Sequence, residues 1–244
     1  MDRFVERAVV LSTVDYGEAD RLVTLFTESR GKLTAFAAGA RKSQRRFAGA
    51  LEPCTLLRAQ LVERHGSTYR LDSVDVERSF RAVREDLSLI SRALYCVELC
   101  RELTQEHQAH PPLFAALVQY LDKLDSKQAG PTSLIAFELD ALAHAGLMPR
   151  FDSCAVCGGP AGERALFDPD HGGVVCHGCR ARVSKGVPID GALALALARL
   201  QAGARTPMPP DQRQRARELL NLFIAHQLGR KLKSVDFLGQ VGLD

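Results

Sequence analysis

Apolar positions alternate with polar ones over the first 80 residues and recur every three or four thereafter, so a strand-forming part precedes a helix-forming part. Ala8 to Val14 is a β-branched run, and Arg21 to Thr27, rich in Val, Thr and Phe, is a second. In Lys32 to Ala38 the residues Leu33, Ala35 and Ala37 share one face. The intervening Glu28-Ser29-Arg30-Gly31 predicts a hairpin turn with Gly31 at a positive φ. Leu57, Ala59 and Leu61 alternate with Arg58 and Gln60 in a fourth strand, and a turn at His65-Gly66 leads into a fifth. There the apolar parity switches between Tyr69/Leu71 and Val74/Val76, which predicts a bulge near Ser73. Five short strands with little helical period between them suggest a small closed barrel, with the OB-fold as leading candidate.

Beyond residue 80 the pattern is helical. Asp86 to Leu103 carries Leu87, Ile90, Leu94, Val97 and Cys100 at spacings of three and four. Pro111-Pro112 opens a helix that buries Phe114, Leu117, Val118 and Leu121. Thr132 is placed to cap a third, through Leu134, Phe137, Leu139 and Leu142 to Gly146. Further helices are expected near Ala192 to Gln201 and from Asp211 to Leu228, the latter stopped by Gly229 and burying Ala216, Leu219, Leu220, Phe223 and Leu228. Lys127 to Pro131 and Gly203 to Pro210 read as flexible loops.

Between the helical stretches lie two C-x-x-C pairs, Cys154/Cys157 and Cys176/Cys179, separated by 18 residues. Two such pairs can offer four thiolates to one tetrahedral ion, the spacing of a zinc ribbon. Gly158, Gly159 and Gly178 let the backbone turn tightly around the sulfurs. Met1 to Arg7 has charges where a signal peptide needs an apolar core, so a reducing cytoplasm is expected, where paired thiols persist as ligands. Cys54, Cys96 and Cys100 read as small core residues. Four thiolates fill a tetrahedral shell, so the zinc is structural and activates no water. His171 and His177 could replace a cysteine ligand but read as solvated loop residues.

The chain has 244 residues, 46% hydrophobic, enough for one to three domains. Its longest apolar stretch, Ala192 to Ala198, is far short of the ~20 residues that cross a bilayer, so no membrane association is expected. Net charge is only +3, yet Arg30, Lys32, Arg41, Lys42, Arg45 and Arg46 fall between Glu28 and Glu52 with no acidic residue among them. Phe47 follows directly, where a lone aromatic after a loop serves either as a core anchor or as a ring for a base. Cations beside an aromatic suit phosphates and an unstacked base, and Arg230, Lys231 and Lys233 form a second cluster that would equally stabilise a helix C-terminus. No histidine is followed two positions later by Glu, as zinc deaminases require. Gly39-Ala40-Arg41-Lys42-Ser43 lacks the spacing of a nucleotide-binding loop, and no G-x-S-x-G is present. An enzyme is therefore not expected. A zinc-ribbon factor of transcription or the ribosome is the alternative.

Several short segments occur together in one order: Val9-Val10-Leu11 with Tyr16-Gly17-Glu18-Ala19-Asp20, Gly31-Lys32-Leu33, Gly39-Ala40-Arg41-Lys42, Gly49-Ala50-Leu51-Glu52-Pro53, the ribbon cysteines, and Leu228-Gly229-Arg230-Lys231-Leu232-Lys233-Ser234. In this the chain resembles the bacterial RecO recombination mediator family over essentially its whole length. Where relatives tend to have an aromatic after the Glu52-Pro53 position, this chain has Cys54. The resemblance implies an α+β protein: an OB-fold barrel over 1–80, an α-helical domain over 81–150 and 181–244, and a zinc-ribbon insertion over 151–180. It implies a DNA repair protein that binds single- and double-stranded DNA, anneals complementary strands and, with RecR, helps RecA load onto DNA coated by the single-strand binding protein SSB. It further implies contact with the acidic C-terminal tail of SSB and a cytoplasmic, nucleoid-associated location. Some family members lack the ribbon cysteines, which points to a zinc that supports the fold. On this reading Lys32, Arg41, Lys42, Arg45, Arg46 and Phe47 bind DNA, joined by Arg230, Lys231 and Lys233. Neutralising about four to six phosphates of a single strand would give a salt slope of roughly −3 to −4.

Overall fold

A computed structural model describes residues 2–43, 46–47, 49–64, 68–204 and 206–241. The first strands are β1 (Arg3–Tyr16), β2 (Asp20–Thr27), β3 (Gly31–Ala37), β4 (Leu56–Arg64) and β5 (Thr68–Arg78). They close into a barrel in the order β1-β2-β3-β5-β4, which is an OB-fold arrangement. Every neighbouring pair is antiparallel except β3 and β5, whose short parallel pairing of Ala35 with Tyr69 and Phe36 with Arg70 shuts the barrel. Ala8, Val10, Val23, Leu25, Leu33, Ala35, Ala37, Leu57, Ala59 and Leu61 fill it. Each larger aliphatic among them contributes roughly 1.5–3 kcal/mol by leaving water.

The expected bulge in β5 is present: Gln60 pairs with Ser73 and Leu61 with Leu71, leaving Asp72 extra. A second bulge, not evident from the pattern, lies in β1. Val10 pairs with Leu25 and Ser12 with Thr24, so Leu11 is the extra residue and the inward parity passes from Val10 to Thr13. Gly31 has φ +73°, as the hairpin requires. It has a second reason to be glycine, since a Cβ there would lie 2.0 Å from the Gln108 carbonyl oxygen. The expected turn at His65-Gly66 lies outside the described residues.

Helices α1 (Arg81–Glu85), α2 (Leu87–Leu103) and α3 (Pro111–Asp125) belong to the same compact unit as the barrel, which comprises Met1–Ala129 and Phe237–Gly242. Asp86 caps α2 by accepting from the Ser88 and Leu89 N–H groups. The buried face of α2 differs from the expected one. Leu87 is 60% exposed, while Ser91, Ala93, Tyr95, Cys96 and Leu99 are buried beside Val97 and Cys100. Most of this helix is surrounded, so a single stripe does not describe it. Phe26, on the outer side of β2, packs edge-on against Phe114 of α3 at 5.6 Å. The expected buried residues of α3 are buried.

Among the described residues, the second unit comprises Gly130–Asp236. It contains α4 (Ser133–His144), β6 (Ala165–Asp168), β7 (Gly173–Val175), β8 (Val187–Ile189), α5 (Gly191–Gln201) and α6 (Pro210–Leu228). Thr132 stands at the N-cap of α4, but its side chain makes no capping bond. Its αR backbone does not present the hydroxyl to the following N–H groups, and Ser133 instead donates to the Gly130 carbonyl at 2.6 Å. Gly229 ends α6 at φ +67°. The helices on either side of the cysteines pack together, α4 against both α5 and α6. A buried ion pair between Glu138 and Arg217 joins α4 to α6. The last helix, α7 (Ser234–Val241), follows. No helix among the described residues is long and apolar enough to cross a membrane.

Candidate nucleic-acid interface and metal centre

The β3–β4 connection is built from the inside outward. Ala40, Phe47, Ala50, Leu51 and Cys54 are buried under it, and Phe47, only 2% exposed, belongs to the barrel core. Backbone bonds from Arg41 N–H to the Ala19 carbonyl, Val74 N–H to the Arg46 carbonyl and Cys54 N–H to the Val10 carbonyl stitch it to the barrel. Asp20 adds a bond by accepting from the Gly39 N–H at 2.7 Å. With small and aromatic residues inward, the cations are left outward: Arg41, Lys42 and Arg46 are exposed.

The expected DNA-contacting residues therefore fall into separate groups. Arg41 Nη1 donates to the Gly17 carbonyl at 3.2 Å and its Nε lies 3.5 Å from Asp15. Arg46 Nη2 donates to the Ala38 carbonyl at 2.6 Å, with its guanidinium 5.0 Å from the centre of the Phe47 ring. Among the described residues, Lys42 and Arg46 have no carboxylate partner within ion-pair distance, while Arg45 lies outside those residues. Phe47 is not placed to stack on a base, because the core holds it as the loop's anchor. Lys32 points away from the loop: its Nζ donates to the Arg101 and Thr104 carbonyls at 2.8 and 2.6 Å, at the end of α2.

A run that lacks acidic residues in sequence does not lack them in space. Asp15 faces Arg41, and the buried Glu6 lies 3.3 Å from Arg30. In the second cluster Arg230, Lys231 and Lys233 are all exposed, with Lys231 hydrogen-bonded to Asp236.

The alternation of apolar residues does not assign the outer side of the barrel beside this loop. Tyr16 is 56% exposed and meets Phe36 edge-on at 5.8 Å, and Val14 is 61% exposed. Strict alternation from Ala8 and Val10 would have placed both Val14 and Tyr16 inward. Only the bulge at Leu11 turns them out. The run of consecutive apolar residues from Ala8 to Leu11, which breaks strict alternation, is the signal that bears on it.

The four ribbon cysteines form one cluster, all sulfurs within 4.8 Å of one another and the Cys157–Cys176 pair at 3.8 Å. With zinc–sulfur bonds of about 2.3 Å, the edge of a tetrahedral four-thiolate site is about 3.8 Å, so the residues fit zinc. The first knuckle closes through the Gly158 N–H to the Cys154 carbonyl and the Cys154 N–H to the Gly159 carbonyl, with Gly158 at φ +72°. The second is a 3-10 turn over His177–Arg182, where Gly178 needs no positive φ. Burial pushes the Cys154 thiol up, but backbone N–H groups of Cys176, Cys157 and Val156 outweigh it and bring the group to about 6. Cys179 is held up to about 12 by burial and by the neighbouring sulfurs. Four thiolates this close repel one another unless a cation sits among them. His171 is taken by Asp168 through its Nδ1 and adds no ligand.

This centre is rooted in its own unit. Phe167 of β6 stacks on Phe151 at 5.4 Å and meets Phe223 of α6 at 5.9 Å, and Arg215 of α6 donates to the Pro188 carbonyl in β8. A zinc held by Cys154, Cys157, Cys176 and Cys179 would have no open position, so it would hold the loop against the helices and supply no reaction chemistry.

Comparison with known proteins agrees with both halves. The family model described as Recombination protein O N terminal matches residues 1–80, and Recombination protein O C terminal matches residues 84–236. The chain is 66% identical to the DNA repair protein RecO of Myxococcus xanthus (strain DK1622) over all of both chains. It is 51% identical to that of Anaeromyxobacter sp. (strain K), covering 99% of this chain and 98% of the relative. With the RecO of Geobacter sulfurreducens identity is 39%, over 96% of each chain. Nothing in these matches supports a transcription or ribosome factor. The barrel, the helices, the four-cysteine centre and matches across both halves show that this chain belongs to the RecO family of bacterial DNA repair proteins, non-catalytic mediators of recombination.

Proposed function

We propose that the chain holds DNA on the β3–β4 loop and so brings complementary strands together. The observation that carries this reading is the loop's construction, with Phe47 and small residues buried beneath it and Arg41, Lys42 and Arg46 turned to solvent. Residues 1–80 act as the DNA-binding module, 81–150 and 181–244 as a helical module, and 151–180 as its zinc-held insertion. Arg45 adds its charge to the loop. Arg230, Lys231 and Lys233 offer a second strip of positive charge.

Annealing needs no covalent step. Two strands repel through their phosphates, and a surface that neutralises part of that charge while leaving base edges accessible lowers the barrier to pairing. The same surface accepts single- and double-stranded DNA because phosphates are common to both. The family resemblance supports RecR as the partner, the acidic tail of SSB as a contact, and RecA as the protein that benefits, in the bacterial cytoplasm at the nucleoid.

With four loop cations engaged, the slope of log affinity against log salt on single-stranded DNA is about −3. Reversing Arg41, Lys42, Arg45 and Arg46 to Glu tests the reading. Loss of DNA affinity and of strand annealing is expected, and unchanged affinity would rule the loop out.

A further inference from the structure

We infer that the outer face of the barrel beside this loop is a base-stacking platform for single-stranded DNA, with Tyr16 as the stacking ring. The inference rests on the DNA-binding reading above and adds to it the residues that hold bases, where the loop holds phosphates.

The platform begins with the bulge at Leu11. Because the inward parity shifts there, Thr13 pairs with the buried Val23, and Val14 and Tyr16 project from the opposite side of the sheet. Pairing continues across the strands: Val14 lies opposite Leu22, and Leu22 opposite Phe36. A row of apolar side chains thus crosses β1, β2 and β3 on the outer face, with Tyr16 diagonal to it. Leu22 and Phe36 are half-buried, whereas Val14 and Tyr16 are mostly exposed. Phe36 supports the Tyr16 ring edge-on without covering it.

What lies beside the row decides its occupant. Arg41 bonds to the Gly17 carbonyl, one residue beyond Tyr16, and its backbone N–H bonds to the Ala19 carbonyl in the same turn. The cationic loop is therefore pinned to the turn that follows Tyr16. An exposed ring next to guanidinium and ammonium groups complements a polymer that alternates flat apolar faces with negative charge, which describes single-stranded nucleic acid. In a duplex the base faces are already stacked and unavailable to the ring. Stacking tolerates any base, as a recombination mediator acting on arbitrary sequence needs.

The composition supplies its own probe. The chain has no Trp and four Tyr, and Tyr69, Tyr95 and Tyr120 are buried, so Tyr16 is the exposed emitter. The full-length protein would be titrated with oligothymidylate and with an abasic oligonucleotide of equal length. Oligothymidylate is expected to quench tyrosine emission and the abasic strand is not. Tyr16→Ala is expected to weaken oligothymidylate binding about 5- to 10-fold while leaving abasic binding and the salt slope unchanged. Tyr16→Phe is expected to restore the affinity and lose the quench, a result that supports stacking even if the alanine variant melts early.

Absence of a quench in the parent chain overturns the platform and leaves the face to a protein partner. Equal loss by Tyr16→Ala on both oligonucleotides overturns it as well. If reversing the loop cations abolishes binding while Tyr16→Ala binds like the parent, the loop reading stands and the platform falls. If the reversal changes nothing, the loop reading fails, whatever Tyr16 does.

Discussion

Lys32 sits among the cations of the basic run, yet its ammonium is committed elsewhere, and replacing it separates a structural cation from a DNA-binding one. Its Nζ donates to the Arg101 and Thr104 carbonyls at 2.8 and 2.6 Å, where α2 runs out of intrahelical donors. A hydrogen bond from a charged group is worth about 1.5–3 kcal/mol, and a cation at a helix C-terminus about 0.3–1 kcal/mol. The residue is only half-buried, so water replaces part of what truncation removes. Lys32→Ala should then cost about 2 to 3 kcal/mol, which in a chain of this size lowers the melting temperature by about 4 to 12 °C. Lys32→Arg should recover little, because a planar fork does not reproduce an ammonium between two carbonyls. Thermal unfolding followed by circular dichroism reads the first effect, and DNA binding as a function of salt reads the second. The slope should be that of the parent. An unchanged melting temperature together with a slope shallower by about 0.7 would refute the assignment and return Lys32 to the phosphates.

Other perturbations follow from the same geometry. Gly31→Ala should destabilise by at least about 3 kcal/mol, since a left-handed backbone and a Cβ 2.0 Å from the Gln108 carbonyl oxygen act together. Gly49→Ala, at φ +76° with nothing within 4 Å, should cost only about 1–2 kcal/mol, and equal losses in chemical denaturation would sink the close-approach argument. The Glu77 carboxyl is held below its ordinary value of 4.5 first by the hydrogen bond from Arg7 and then by Arg58. Its folded-state value being depressed, the stability it adds is present above 4.5 and lost as pH falls below it. The melting-temperature gap between Glu77→Gln and the parent should therefore close under acid, and a gap independent of pH would contradict the pairing. Cys154→Ser should lower bound zinc from about one per chain, measured by elemental analysis, and lower the melting temperature while leaving the salt slope of DNA binding intact. A changed slope would place the ribbon in the DNA interface.

Much of the architecture is legible in the chain because local rules and tertiary packing agree. Leu33, Ala35 and Ala37 alternate and all point inward, and the two C-x-x-C pairs meet as their spacing requires. What the local pattern does not carry shares a cause: each feature is settled by residues distant in sequence. Phe47 follows four cations and looks like part of a binding surface, but the barrel interior claims it. Lys32 is drawn to carbonyls 69 and 72 positions away. Asp15, far from the basic run in sequence, faces Arg41 across a turn. The α2 stripe fails for a related reason, since a helix packed on several sides has no single buried face for a period to reveal.

The bulge at Leu11 shows how such a departure can create a surface. Strand β1 pairs with β4 from Arg3 to Val9 and with β2 from Ala8 to Tyr16, so its two ends serve different neighbours. Were its alternation unbroken, the parity that buries Ala8 and Val10 would bury Val14 and Tyr16 too. The outward side at that end would then carry Thr13 and Asp15. One inserted residue reverses this at little cost to the barrel, because Thr13 takes the inward place opposite Val23 and its hydroxyl donates to the Leu51 carbonyl. The Leu51 contact lies at the far end of the basic loop, while Arg41 grips the turn beyond Tyr16 near its start. A single irregularity in β1 therefore both exposes the aromatic face and contributes to fixing the cations beside it.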